Sequence, residues 1–80
     1  MTSVSPRLSF SEGMRAAAEM RRRRKALGLS QTALGVKLGT SKTWVAFRER
    51  GSVRMREGDA ARIATALGTD LAGLTKAEIA

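Results

Sequence analysis

The chain contains neither cysteine nor histidine. The first absence excludes a disulfide framework, an iron–sulfur cluster and a thiolate zinc site. The second removes the commonest general base and the commonest metal ligand. Acidic residues are also scarce, 7 against 15 lysines and arginines, and no glycine-rich phosphate loop follows a strand, so neither catalysis nor a cofactor or metal is expected. Aromatic residues make up only 4%, which leaves Leu, Val, Ile, Met and Ala to build the core. No apolar run approaches membrane-spanning length and no secretion-signal pattern opens the chain. A cytoplasmic protein is the expectation.

What is present in excess is positive charge, a formal +8 over 80 residues, carried far more by arginine than by lysine. Such an imbalance attracts polyanions and costs the compact state some self-repulsion. Nucleic acid is the first partner it suggests and an anionic membrane surface the second. Eighty residues suffice for one small domain.

Residues 1–9 are rich in serine and hold the one proline, which predicts a flexible N-terminal arm. Ser9 and Glu12 then have the spacing of a capping box. A helical pattern follows to Leu27, with Ala17, Met20, Arg24 and Leu27 predicted to share one face, and Gly28 ends it. Ser30 caps a short helix from Gln31 to Leu38 that buries Leu34 and Leu38. After Gly39, Ser41 caps a second one from Lys42 to Glu49. Ser52 to Arg56 alternates, placing Val53 and Met55 on one side of an extended connection and Arg54 on the other. Glu57 and Asp59 suit the positive end of a fourth helix carrying Ile63, Ala64 and Leu67. Asp70 can cap a last turn with Leu71 and Leu74. The pattern is all-α, five short helices without a strand pair.

The stretch Leu29 to Gly51, LSQTALGVKLGTSKTWVAFRERG, resembles the Cro/cI-type helix-turn-helix of phage repressors and their bacterial relatives. Leu29, Ser30, Gln31, Leu34, Leu38, Gly39, Ser41, Val45, Glu49 and Gly51 stand at the matching places. The likeness continues through Val53, Met55, Ile63, Ala64, Leu67 and Gly68 to Leu71 and Leu74. It implies a five-helix lambda-repressor-like domain over residues 10–75, with the motif at about 31–50 and a short tail at 76–80. It also implies a transcriptional regulator, a repressor, that binds double-stranded DNA through the major groove.

Under that resemblance Gln31 meets a phosphate at the start of its helix. Ser41, Lys42 and Thr43 open the recognition helix, where Lys42 can donate to guanine and the Thr43 methyl can meet thymine. Trp44 either packs on the sugar–phosphate backbone or caps the core. Phe47 either meets a thymine methyl or pins the helix to the core. Lys37, Arg50 and Arg54 are candidate phosphate neutralisers, and Arg24 is implied to pair with Glu49. The pattern is departed from in three ways. Gly35 stands where alanine is usual, Thr40 where an aliphatic residue is usual, and Phe47-Arg48 inverts the usual polar–apolar order.

A homodimer on a two-fold related site is expected, because one module of this size buries little surface on DNA. Leu71, Leu74 and Ile79 are the candidate self-association surface. Antitoxins with a toxin partner and restriction–modification controllers share the motif and remain alternatives. RNA is disfavoured by the lack of clustered aromatics, and a membrane surface by charges spread all round the longest helix.

Overall fold

The computed structural model describes residues 5–76. Five helices follow one another: α1 (Phe10–Ala26), α2 (Gln31–Leu38), α3 (Lys42–Glu49), α4 (Glu57–Ala66) and α5 (Leu71–Thr75). The capping box at the start of α1 is formed. The Ser9 hydroxyl accepts from the Glu12 N–H at 3.2 Å and the Glu12 carboxylate from the Ser9 N–H at 3.0 Å. The same hydrogen bonds hold the Glu12 carboxyl below its ordinary pKa. Ala16, Ala17, Met20 and Arg24 form the buried face of α1. Leu27 does not join them: it is the C-cap, 56% exposed. The chain turns away there, and Leu29 packs against the core instead.

Serines open α2 and α3 as their spacing predicted, Ser30 accepting from the Ala33 N–H and Ser41 from the Trp44 N–H. Between the two helices Gly39 adopts the left-handed conformation, φ 69°, that L side chains rarely tolerate. Arg62 of α4 reaches over to close the end of α2, donating to the Leu38 carbonyl at 2.7 Å.

Gly35 is required more strictly than its neighbours suggest. A Cβ there would lie 2.9 Å from the carbonyl carbon of Ser41 and 3.3 Å from the Lys42 nitrogen, both backbone atoms. The first turn of α3 therefore sits closer to α2 than a methyl group allows. Helix propensity alone favours alanine over glycine by about 1 kcal/mol, whereas forcing atoms into a filled space costs about 1–3 kcal/mol. Gly35→Ala is expected to lower the melting temperature. Gly13→Ala is expected to raise it, because nothing lies within 4 Å of a Cβ there. Thermal unfolding of the two variants compares the effects, and a Gly35→Ala protein that melts higher would show that α3 retreats without cost.

Residues 5–9 are not the mobile arm their composition suggested. Ser5 to Leu8 run antiparallel beside Met55 to Gly58, with Leu8 N–H donating to the Met55 carbonyl at 2.9 Å and an isolated bridge between Arg7 and Arg56. The reason lies at the start of α4, whose N-cap Arg56 makes no side-chain cap. Its orphan donors are satisfied from the far end of the chain instead. The Glu57 N–H donates to the Pro6 carbonyl at 2.7 Å and the Gly58 N–H to the Ser5 hydroxyl at 2.7 Å. Residues 1–4 lie outside the described residues.

The core gathers Leu8, Met20, Leu34, Leu38, Val45, Met55, Ile63, Leu67 and Leu74 with the small Ala16, Ala60 and Ala64. Val53 does not point inward with Met55; it is 38% exposed against 2%. Pairing with the arm turns Met55 into the core at the point where the connection becomes α4. Leu74 is fully buried and Leu71 packs against the same core. Leu74 therefore closes the domain and is not available for self-association, Leu71 is half-buried beside it, and Ile79 lies outside the described residues. Among the described residues no helix is long and apolar enough to cross a membrane.

Candidate nucleic-acid interface

In α3 and its C-cap Arg50 one side faces the core and another faces out. Val45 is fully buried, which fixes the rotation of the helix. At about 100° per residue, Lys42, Thr43, Ala46, Phe47 and Arg50 then form one outward stripe. Lys42, Thr43, Phe47 and Arg50 are exposed, and Ala46 is half-buried between them. Ser41 lies just ahead of the stripe, its hydroxyl occupied by capping.

Trp44 and Arg48 share a different face. The Trp44 ring packs partly against the core, and the Arg48 guanidinium lies 3.7 Å from its centroid while donating to the Trp44 carbonyl at 3.3 Å. Burial lowers the Arg48 pKa, with Asp59 opposing the shift. Its buried Nε finds no hydrogen-bond partner among the described residues, as expected for a guanidinium stacked on an indole. This stack accounts for the inverted Phe47-Arg48 order. Arg48 fills the semi-buried site by lying on an aromatic face, so Phe47 need not turn inward and stays 41% exposed. Arg50 stands 5.2 Å from the Phe47 ring centre.

Beneath the stripe lies a polar joint. Arg24 donates through Nε to Glu49 Oε2 at 2.6 Å, through Nη2 to Oε1 at 3.0 Å, and through Nη1 to the Leu29 carbonyl at 2.8 Å. The hydrogen bonds to Glu49 raise the Arg24 pKa. Gln31 Nε2 donates to the same Glu49 Oε1 at 3.1 Å. The end of α1, the start of α2 and the end of α3 are thereby tied to one carboxylate. The side-chain amide of Gln31 is turned into this joint, so the donor it leaves for an outside acceptor is its backbone N–H at the opening of α2.

The remaining sequence candidates do not converge. Lys37 lies about 200° around α2 from Gly35, which faces α3, and its Nζ is 3.4 Å from the Ala66 carbonyl at the end of α4. It borders a hollow of about 430 Å³ with Arg62 and Leu38. Arg54 donates through Nε to the Leu8 carbonyl at 3.0 Å, so part of its guanidinium anchors the docked arm. One residue near the stripe was missed. Arg21 lines a shallow cleft of about 250 Å³ together with Gln31, Ala46, Glu49 and Arg50. The signal was available, since Arg21 sits one turn before Arg24 on the same helix.

Two helices joined through a left-handed glycine, the second turned so that a basic stripe faces out, define a helix-turn-helix protein. The chain belongs to the Helix-turn-helix domain family, whose sequence profile matches residues 15–77. Among solved structures it is similar to the restriction–modification controller protein C.AhdI from Aeromonas hydrophila. The two are 28% identical with a TM-score of 0.72, over 81% of this chain and 94% of that one. It is also similar to the hypothetical transcription factor NHTF from Neisseria, 25% identical with a TM-score of 0.74, over 92% of this chain and 86% of that one. No curated protein matches the sequence.

Proposed function

We propose that the protein is a sequence-specific double-stranded DNA-binding transcriptional regulator, a repressor that seats α3 in the major groove. The observation that carries this reading is the outward stripe of α3, cationic at both ends and held in one rotation by Val45 and the Glu49 joint. A helix fits the groove, and side chains at its start reach base edges. Lys42 and Thr43 read bases, Phe47 meets a thymine methyl, and Arg50 and the N–H of Gln31 hold phosphates. No step in this activity requires catalysis or a cofactor, and it belongs in the cytoplasm beside bacterial or phage DNA. The protein works as a homodimer, because a single module buries only about 600–1,000 Å² on DNA. The likeness to C.AhdI favours one narrower role, control of a restriction–modification system.

Selection of bound duplexes from a random pool, repeated with Lys42→Ala, tests the reading. Losing a base-edge donor is expected to relax preference at one base pair per half-site, at about 1–3 kcal/mol. The wild-type complex should sediment with two copies per site. An unchanged selected sequence in Lys42→Ala would show that α3 is not seated as proposed.

A further inference from the structure

The joint at Glu49 leaves a positive cleft above it. Of the consecutive arginines on α1, Arg22 and Arg23 approach Glu19 and Arg24 is bound to Glu49. Arg21 makes no hydrogen bond or ion pair with any described residue. It faces Arg50, whose contact is the Phe47 ring, across the cleft that Gln31, Ala46 and Glu49 also line. The one carboxylate there is already matched by Arg24 and Gln31. Among the described residues the cleft therefore holds two cations without an anion to balance them. Lys25, one turn beyond Arg21, extends the positive rim along the adjoining hollow. Uncompensated charge on two separate helices costs self-repulsion, which a bound anion would relieve.

Ala46 sits within the outward stripe of α3 and also lines the cleft, so a duplex seated on that stripe brings a sugar–phosphate strand over the opening. We infer that Arg21 and Arg50 form a clamp for one backbone phosphodiester of duplex DNA, with α1 supplying a cation that the helix-turn-helix segment itself lacks. The inference rests on the DNA-binding reading. Planar guanidinium groups suit phosphate oxygens through paired N–H donors. The clamp adds affinity and register without reading sequence.

Binding to one duplex is measured across a salt series for wild type, Arg21→Ala, Arg21→Lys and Arg22→Ala. Each neutralised phosphate contributes about 0.9 to the slope of log K on log salt. Arg21→Ala is expected to bind several-fold more weakly at low salt, with a slope shallower by at most one contact because Arg50 remains, and a melting temperature no lower than wild type. Arg21→Lys should restore most of the slope, and Arg22→Ala should keep the wild-type value. Ethylation of one flanking phosphate should weaken wild type more than Arg21→Ala, which keeps only the Arg50 contact to it. Equal losses in Arg21→Ala and Arg22→Ala, or no loss in Arg21→Ala beside a steep wild-type slope, would overturn the clamp and leave the DNA-binding reading intact. A wild-type slope near zero would overturn both.

Discussion

Arg24→Ala is expected to destabilise the protein by about 3 kcal/mol, the low end of the cost of breaking a buried ion pair. The two side chains are 9% and 3% exposed, yet they form the floor of a shallow cleft, and water above it softens the penalty. Removing Arg24 leaves Glu49 with Gln31 as its one remaining side-chain donor among the described residues and leaves the Leu29 carbonyl without the Arg24 Nη1 bond. Glu49→Ala should cost less, because the freed guanidinium keeps the Leu29 carbonyl and can swing towards solvent. Arg22→Ala, with a side chain 61% exposed, should stay within about 0.5 kcal/mol of wild type. The double variant Arg24→Met/Glu49→Leu should recover much of the loss, since neither charge is then stranded. Chemical denaturation of the four variants gives the comparison. Equal midpoints for Arg24→Ala and Arg22→Ala would refute the energetic role of the pair.

The parts of the structure that local rules control were legible in advance. Ser9, Ser30, Ser41 and Asp70 each cap the helix that follows, because an N-cap needs only its own side chain and an N–H three residues on. Leu34 is fully buried where the spacing put it, and Val45, matched to the motif, is fully buried as well. What was not legible depends on residues far apart in sequence. Nothing in Ser5 or Pro6 announces that they satisfy the first turn of α4, more than 50 positions later. Leu71 and Leu74 read as surplus apolar surface because the core volume they fill is defined by α1 and α4.

The candidate site divides in the same way. Lys42, Thr43, Phe47 and Arg50 follow from one helical period once Val45 is inside. Lys37 and Arg54 are cationic and near the motif in sequence, but their directions are set by α4 and by the arm. Gln31 was placed correctly at the start of its helix, while its amide was captured by a carboxylate 18 positions away. The Arg48–Trp44 stack is again local, an i,i+4 pair. Its consequence, an exposed Phe47 on the outward stripe, depends on a guanidinium serving where an aliphatic residue is usual.

Leu8→Ala is expected to be among the most damaging single substitutions, although Leu8 lies in a stretch whose composition reads as an arm. Its side chain is 4% exposed within the core, and truncating a buried leucine costs about 2–5 kcal/mol. For 80 residues the whole folding free energy is roughly 4–12 kcal/mol, taking about 0.05–0.15 per residue. The loss therefore removes a large share of the stability. It also loosens the strand that carries the Pro6 and Ser5 acceptors for α4, so the damage should spread to the Glu57 and Gly58 amides. Phe10 makes the useful contrast. It is larger, equally apolar and two residues away, but 76% exposed, so Phe10→Ala should stay within about 0.5 kcal/mol of wild type. Hydrogen exchange at Glu57 and Gly58 should accelerate in Leu8→Ala and hold steady in Phe10→Ala. Ser5→Ala should accelerate Gly58 at a cost of about 1 kcal/mol, as for other lost caps. A Leu8→Ala protein that melts with the wild type would mean that the arm is not part of the fold and that α4 starts without it.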